Sequence, residues 1–320
     1  MEYRLLGRTG VRVSRIALGC GGFGGVGSAP EFFGRGESEA EAFALLDRAR
    51  ELGITLLDTA DAYGGGRSET TIGKWLAAQV PAVRERIVVT TKVFHSVVGD
   101  PSDRGLAGAR IVRQIEGSLR RLGLERVPLY MIHEPDPATP LAETLDTLDT
   151  LKRQGKVGAV GACNIEASGL EQAERILPGF DWVQNSYSLL DRSAERDVLP
   201  ACARIGLGFT PFSPLAGGWL TGKYTRPGDW PAGSRMTLRP EAYRRFENER
   251  TLRALARFAE AAHARGTDMA ALAIAWLLAQ PQVDAVIVGP RRPEQLEPAR
   301  RALELTLTPA ECTALAALFD

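Results

Sequence analysis

The sequence predicts an α/β protein of the (β/α)8, or TIM, barrel class, with an N-terminal β-hairpin and a long loop after the seventh barrel strand. Eight short apolar runs alternate with amphipathic helical stretches along all 320 residues. This alternation is typical of βαβ units that share one parallel sheet. No internal repeat or linker divides the chain, so we expect a single domain over residues 1–320.

The first predicted element is a hairpin ahead of the barrel. Residues 3–6 and 12–15 flank the turn Gly7-Arg8-Thr9-Gly10. A glycine-rich turn between two short strands favours a β-hairpin. We expect this hairpin to close one end of the barrel and to have a structural role.

The eight barrel strands are short, apolar and followed by turn residues. They are predicted over residues 16–18, 55–57, 87–90, 129–132, 159–161, 182–185, 208–211 and 285–288. The clearest helices between them have apolar residues at i, i+3 or i+4. They cover residues 38–52, 110–122, 141–153 and 167–176. Gly123, Gly155 and Gly206 stand where helix C-terminal caps are expected.

The one long interval without periodicity covers residues 221–248, which are rich in Pro, Gly, Trp and Arg. An insertion of this length after a barrel strand is usually a binding loop or a lid. We therefore expect these residues to border the functional site.

The charge and cysteine content exclude several classes of protein. The 39 basic and 39 acidic residues cancel without forming long blocks, which disfavours nucleic acid or an anionic membrane as a partner. Four cysteines without CxxC spacing and three scattered histidines predict neither disulfides nor a metal site. The N-terminal residues carry charges instead of a signal-peptide core, and the longest apolar stretch, 270–279, is too short to span a bilayer. We expect a cytoplasmic protein with a small-molecule ligand.

Barrels of this class place their chemistry at the carboxyl ends of the strands. The predicted strand ends carry an unusual number of polar side chains. They include Asp58, Tyr63, Lys92, His133, Asn164, Gln184, Tyr187 and Ser213.

Seven segments at these strand ends resemble, in order, the signatures of the aldo-keto reductase family, especially its bacterial and potassium-channel β-subunit-like branch. The segments are LLDTADAYGGGRSE, TTKV, YMIHEPD, GACN, QNSYS, FSPLAGGWLTGKY and IVGPRRPEQL. They span nearly the whole chain. The resemblance implies NADP-dependent reduction of an aldehyde or ketone to an alcohol.

The resemblance also implies a catalytic tetrad of Asp58, Tyr63, Lys92 and His133. Hydride addition to a carbonyl creates an alkoxide, which a phenol beside a cation can protonate. At ~4 Å and an effective dielectric of ~20, Lys92 would favour the tyrosinate by roughly 4 kcal/mol, or about three pKa units. Asp58 and burial reduce that gain. Asp58 keeps the lysine charged, and a neutral His133 orients the substrate or shares in donation.

Taken singly, these residues also fit structural roles. Tyr63 could be an ordinary loop residue, and His133 a hydrogen-bonded core histidine. Lys92 is harder to explain in this way, because an unpaired lysine after a buried strand is costly. Their joint occurrence at strand ends favours catalysis.

The cofactor implied by the resemblance is NADPH, with NADH as an alternative. Asn164 and Gln184 would hold the nicotinamide carboxamide, since amides donate and accept together, and Tyr187 would stack on the ring. The expected pyrophosphate contacts are Ser213, Leu215 and Gly217. The expected adenosine-side contacts are Gly289, Arg291, Arg292 and Gln295. A guanidinium fork suits the 2′-phosphate, although both arginines could equally be solvated surface charges.

Three positions depart from the family pattern. Cys163 stands where Ser is common, and Pro298 and Ala299 replace a Glu-Asn pair. Cysteine is the weaker hydrogen-bonding group, so these departures imply looser contacts to the cofactor. Cys163 also fits as a small buried residue.

The segment Gly19-Cys20-Gly21-Gly22-Phe23-Gly24 matches the GxGxxG pattern of Rossmann folds. In a Rossmann fold the motif opens a helix, but here a loop-like sequence follows and no strand-end acid comes at about 20 residues. We interpret the glycines as a rim of the substrate mouth.

The substrate pocket is expected to be bordered by Phe23, Phe94, His95, Glu134 and Trp219, with Trp230 as a further candidate. This mixture of apolar and polar side chains fits sugars, aliphatic or aromatic aldehydes, ketones and quinones alike. Two other functions stay open: an NADPH-binding sensor or partner protein with slow turnover, and a Schiff-base lyase that uses Lys92 as nucleophile.

Overall fold

The computed structural model describes residues 1–320, and its centre is a sheet of eight parallel strands. Two short antiparallel strands precede it, β1 (Tyr3–Leu5) and β2 (Arg12–Ser14). The strands of the central sheet are β3 (Ile16–Gly19), β4 (Leu56–Asp58), β5 (Val88–Val93), β6 (Val127–Ile132), β7 (Val157–Cys163), β8 (Trp182–Gln184), β9 (Gly208–Phe209) and β10 (Val286–Val288).

The strand order is β10-β3-β4-β5-β6-β7-β8-β9, and hydrogen bonds between the two outermost strands close the sheet into a barrel. Phe209 forms a parallel bridge with Val283, and the Phe209 carbonyl accepts from the Asp284 amide at 2.9 Å. The Ile287 amide donates to the Pro211 carbonyl at 3.0 Å. The predicted (β/α)8 barrel is therefore confirmed.

Each predicted strand overlaps an observed one, and the ends differ by at most three residues. The largest difference is in β5, which was expected to end at Thr90 but pairs with β6 through Val93. The strand continues past Lys92 because the charge of that side chain is neutralised inside the barrel by Asp58. Lys92 therefore does not mark the end of β5, although it interrupts an apolar run in the sequence.

Twelve helices surround the sheet. They are α1 (Glu39–Glu51), α2 (Arg67–Ala77), α3 (Pro81–Arg84), α4 (Gly108–Leu122), α5 (Leu141–Arg153), α6 (Ala167–Ile176), α7 (Val198–Ile205), α8 (Arg235–Leu238), α9 (Glu249–Ala264), α10 (Met269–Leu278), α11 (Glu297–Ala302) and α12 (Pro309–Ala317). None of them combines the length and the apolar composition needed to cross a bilayer.

The helix ends follow from local sequence signals. Ser38 and Glu41 form a reciprocal capping box at the start of α1. Gly123 and Gly206 end α4 and α7 in the left-handed conformation, and Gly155 adopts it just after α5. The predicted bounds of α5 and α6 are those observed.

The N-terminal hairpin closes the amino end of the barrel. Leu6 and Val13 are fully buried and belong to the apolar cluster inside the barrel, together with Met131 and Trp182. The Gly7 amide donates to the Asp284 carboxylate at 3.1 Å, which ties the turn to the barrel wall. These contacts support the expected structural role, in which the hairpin closes one end of the barrel.

The long loop after the seventh barrel strand lies between β9 and α9 and carries the short helix α8. Side chains from this loop line a cavity at the carboxyl ends of the strands. Trp230 from the same loop packs edge-on against Trp219 and Tyr224, at 5.5 and 5.3 Å between ring centroids. The loop is therefore anchored by an aromatic cluster on one side of the cavity.

Candidate active site

A cavity of about 620 Å³ opens at the carboxyl ends of the barrel strands, as the fold class predicts. Most of the predicted catalytic and cofactor residues line it: Asp58, Tyr63, His133, Asn164, Gln184, Ser213, Leu215, Gly217, Gly289, Arg291 and Gln295. Cys163 and Pro298, two of the positions that depart from the family pattern, line it as well, while Ala299 is buried. Arg292 lines an adjoining cavity of about 320 Å³.

Lys92 and Asp58 form a buried ion pair at the base of the cavity. Lys92 Nζ donates to both carboxylate oxygens, at 2.9 and 2.8 Å, and to the Thr59 carbonyl at 2.9 Å. Burial alone would lower the pKa of Lys92, but the charge of Asp58 and the neighbouring groups outweighs it and the pKa is raised. Gln184 Nε2 donates to Asp58 at 2.8 Å. The lysine is therefore held as an ammonium.

Tyr63 follows β4 in a short 3-10 turn, and its hydroxyl lies 3.5 Å from His133 Nε2. Lys92 Nζ lies 5.0 Å from the centroid of the tyrosine ring. Burial raises the pKa of Tyr63 to about 12, although the charge of Lys92 opposes this. The expectation that Lys92 brings the pKa of Tyr63 below its ordinary value is therefore wrong. Desolvation of the phenolate and the charge of Asp58 raise this pKa by more than Lys92 lowers it. Tyr63 holds its proton at neutral pH.

His133 comes directly after β6, and its backbone amide donates to the Val93 carbonyl at 2.9 Å. Burial lowers the pKa of His133 well below 6.5, and the charges of Lys92 and His95 lower it further. The imidazole is therefore neutral, as expected from the sequence. Its Nδ1 is buried without a protein partner, and Nε2 faces Tyr63.

Backbone strain is concentrated at this cavity. Asn164, Ser213 and Ala216 have φ of 55°, 54° and 47°, and no other residue except glycine has a positive φ. Such conformations cost free energy and cluster at functional sites. Asn164 Nδ2 donates to the His133 carbonyl at 3.0 Å, which fixes the ends of two neighbouring strands relative to each other.

Phe212 lines the cavity, whereas Tyr187 does not. Tyr187 is buried behind the strands against Phe209 and Trp276, and its hydroxyl donates to Glu195 at 2.7 Å. Tyr187 is therefore wrong as the residue that would stack on the nicotinamide. Phe212 lines the cavity at the end of the next strand. Its place beside Ser213, itself an expected cavity residue, is the signal that could have identified it.

The expected border of the substrate pocket needs correction. Phe23, Phe94 and Trp219 are buried and do not line the cavity, because their large apolar side chains turn into the core. His95 and Glu134 pair with each other at 3.2 Å. The His95 ring lies edge-on to His133 at 4.8 Å, but neither His95 nor Glu134 lines the cavity. Trp230 belongs to the aromatic cluster of the long loop.

The glycine segment does form the rim of the cavity. From this segment Gly19, Gly21 and Gly22 line it, and the residues that follow, Gly25 and Val26, line it as well. No helix begins at this segment. The GxGxxG pattern is therefore a loop at a barrel mouth and not a Rossmann motif.

Two cations at the cavity were missed in the sequence. Lys223 lines both cavities, and Arg235 lines the larger one. Burial lowers the pKa of Lys223, and the nearby cations Arg235 and Arg291 lower it further. A partly buried lysine beside two arginines suits an anionic ligand. The rarity of lysine in this chain was the available signal, since only five occur.

Comparison with known proteins identifies the family. The sequence model of the Aldo/keto reductase family matches residues 15–320. The uncharacterized oxidoreductase YrpG of Bacillus subtilis is 38% identical over 96% of this chain and 92% of its own length. A probable voltage-gated potassium channel subunit beta of Oryza sativa is 35% identical, over 97% and 94%. The L-glyceraldehyde 3-phosphate reductase of Escherichia coli K12 is 32% identical, over 95% and 88%. The chain belongs to the aldo/keto reductase family.

Proposed function

We propose that this protein reduces an aldehyde or ketone to an alcohol with hydride from NADPH, and that Tyr63 donates the proton. The family and its oxidoreductase relatives support carbonyl reduction in general. The observation that carries the specific proposal is the grouping of a protonated phenol, a neutral imidazole and a buried ion pair at one cavity. These groups can deliver a proton to a developing alkoxide.

The residues around the cavity fit a nicotinamide dinucleotide. Asn164 and Gln184 provide amides for the carboxamide, and Phe212 provides an aromatic face. Ser213, Leu215, Gly217 and Lys223 would hold the pyrophosphate, with Arg291, Arg292 and Gln295 on the adenosine side. Lys223, whose pKa is lowered by burial and by the neighbouring cations Arg235 and Arg291, supports an anionic ligand. The bound nicotinamide supplies the hydride.

The chain's own groups then handle the proton. Tyr63 carries it on the phenolic oxygen at neutral pH and donates it as negative charge develops on the carbonyl oxygen. The Lys92 ammonium stabilises the resulting tyrosinate, and Asp58 keeps that ammonium charged. The neutral His133 donates a hydrogen bond to the carbonyl oxygen and orients it.

The decisive experiment is Tyr63→Phe, which removes one hydroxyl and retains the ring. We expect kcat for carbonyl reduction to fall by about 100-fold or more, the usual scale of a lost general acid. NADPH binding should stay near that of the wild type, since the hydroxyl is not placed among the cofactor contacts. NADPH oxidation with a panel of aldehydes and ketones measures the first, and a fluorescence titration the second. Wild-type kcat in the variant would show that Tyr63 is not the acid.

The same panel separates the other two functions. The similarity to proteins named as channel β subunits favours a sensor role, for which NADPH would bind without turnover of any carbonyl. The Schiff-base alternative needs a neutral amine at Lys92, but the bidentate contact with Asp58 and the raised pKa oppose this. We therefore expect borohydride to trap no adduct on Lys92.

A further inference from the structure

Glu37 presents a buried carboxylate at the adenosine end of the proposed cofactor site. Its side chain is 4% exposed, and Oε1 accepts from Arg291 Nε at 2.9 Å. Oε2 is buried and has no hydrogen-bond partner in the protein. A buried carboxylate oxygen without a donor is costly, so its retention calls for an explanation.

The position of this carboxylate is fixed by the glycine segment. The Glu37 amide donates to the Gly22 carbonyl at 2.8 Å, and the Gly24 amide donates to the Glu37 carbonyl at 2.9 Å. A Cβ on Gly22 would lie 1.9 Å from Glu37 Oε2, so glycine provides the space that this oxygen fills. The carboxylate is thus held between the rim and Arg291.

Glu37 lies among the groups that were expected to recognise a phosphate. It lines the large and the small cavity together with Arg291, Gln295 and Lys223, and the small cavity also contains Arg292. Arg291 is already engaged, since its second contact is the Gly233 carbonyl at 2.8 Å. A carboxylate here repels a phosphate but does not oppose a ribose that lacks one.

We infer that Glu37 is a cofactor-specificity residue: by occupying Arg291 and opposing a 2′-phosphate, it lets the cavity take NADH alongside NADPH. This inference rests on the proposed function and refines its cofactor.

The test is Glu37→Gln, which keeps the shape of the side chain but removes the charge. Kd values for NADP⁺ and NAD⁺ are measured by quenching of tryptophan fluorescence, with no substrate present. We expect the ratio of Kd for NAD⁺ to Kd for NADP⁺ to rise by about tenfold, because Arg291 is released and the repulsion is lost. An unchanged or lower ratio overturns the inference.

Glu41→Gln is the matched control. Glu41 lines the same small cavity but is exposed and bonded to Ser38, a contact that glutamine can keep. Its effect on the ratio should stay below about twofold, the level of an exposed and screened charge. An equal effect from both variants overturns a specific role for Glu37.

The wild-type protein provides a measurement that needs no variant. Adenosine 2′,5′-bisphosphate and adenosine 5′-monophosphate differ only in the 2′-phosphate, and we expect their affinities to lie within about tenfold of each other. A larger preference for the bisphosphate contradicts the inference. If the wild type binds neither NADP⁺ nor NAD⁺, the proposed function itself fails, whereas binding of both with no effect of Glu37→Gln rejects only the role of Glu37.

Discussion

Single residues at the cavity have their protonation states set mainly by burial. Desolvation raises the pKa of Tyr63 to about 12 and lowers that of His133 well below 6.5, so both groups are neutral near pH 7. Among the four proposed catalytic residues only Asp58 and Lys92 are charged, and their charges compensate each other. These four residues together carry no net charge, and Tyr63 holds the one proton that they can donate.

These protonation states predict the pH profile of carbonyl reduction. Tyr63 must be protonated to act, and with a raised pKa it loses the proton only as the pH approaches about 12. We therefore expect kcat/KM to stay level from about pH 7 to about pH 10 and to decline above that range. Initial rates in a mixed buffer of constant ionic strength measure it. A decline centred below about pH 9 would mean that the working enzyme lowers the pKa of Tyr63 after all.

The sequence identified residue types well but not the directions of side chains. Asp58, Tyr63 and His133 were found because polar residues at strand ends share one rim. Tyr187 and Trp219 were misplaced because adjacent positions beyond a strand can face the cavity or the core, and nothing local distinguishes them. The pKa of Tyr63 was misjudged because desolvation of its phenolate depends on packing from distant parts of the chain.

Among the elements, the loop between β9 and α9 is the one that shapes the cavity. Gly217 has φ of +66°, and the Tyr243 ring covers it so closely that a Cβ would lie 2.6 Å from the ring. The Tyr243 hydroxyl also contacts Ser213 Oγ at 3.0 Å. Neither contact was visible in the sequence, because the loop has no periodicity.

Gly217→Ala should therefore disturb both stability and cofactor binding. Gly228→Ala is the matched control, since Gly228 lies in the same loop with φ of +77° but has no atom within 4 Å of a new Cβ. We expect the control to cost about 1 kcal/mol through backbone strain alone, with NADPH affinity unchanged. Gly217→Ala should lower the free energy of unfolding by more than the control does, because its Cβ displaces the Tyr243 ring. The displaced ring should also weaken NADPH binding by at least about fivefold. Thermal denaturation and fluorescence titration measure the two effects. Equal effects of the two variants would argue against the contact with Tyr243.

The hairpin offers a second comparison between neighbours. Leu6 is fully buried at the amino end of the barrel, whereas Leu5 is 61% exposed. Leu6→Ala should lower the free energy of unfolding by about 2 to 5 kcal/mol, since it opens a cavity in the apolar cluster. Leu5→Ala should change it by no more than about 0.5 kcal/mol. Urea denaturation of the two variants measures the difference. Similar midpoints would mean that packing of the hairpin into the amino end of the barrel does not stabilise the fold.

At the scale of the whole molecule, one apolar cluster of 67 buried residues joins the strands to the surrounding helices. The order of elements and the closed sheet were predictable, because alternation of strands and helices leaves few arrangements. The exact strand ends were not, since β5 runs through a lysine that only the distant Asp58 makes tolerable.

A shared core predicts cooperative unfolding of residues 1–320 as a single domain. We expect one calorimetric transition, and NADP⁺ at 100 times its Kd should stabilise the folded state by about 2.7 kcal/mol. Addition of NADP⁺ should shift this single transition to a higher temperature without splitting it. Two separate transitions, only one of them responsive to NADP⁺, would show that the chain has two domains.

Within the barrel, β3 pairs at Ile16 with β10 at Val286. During synthesis the first barrel strand therefore leaves the ribosome about 270 residues before its second neighbour is made. At 5–20 residues per second this interval is roughly 14 to 54 s. Throughout it, an apolar strand has an open edge that can pair with other nascent chains. Translation speed and chaperones that shield exposed strands should thus govern the yield of this protein in cells more strongly than the stability of the finished barrel.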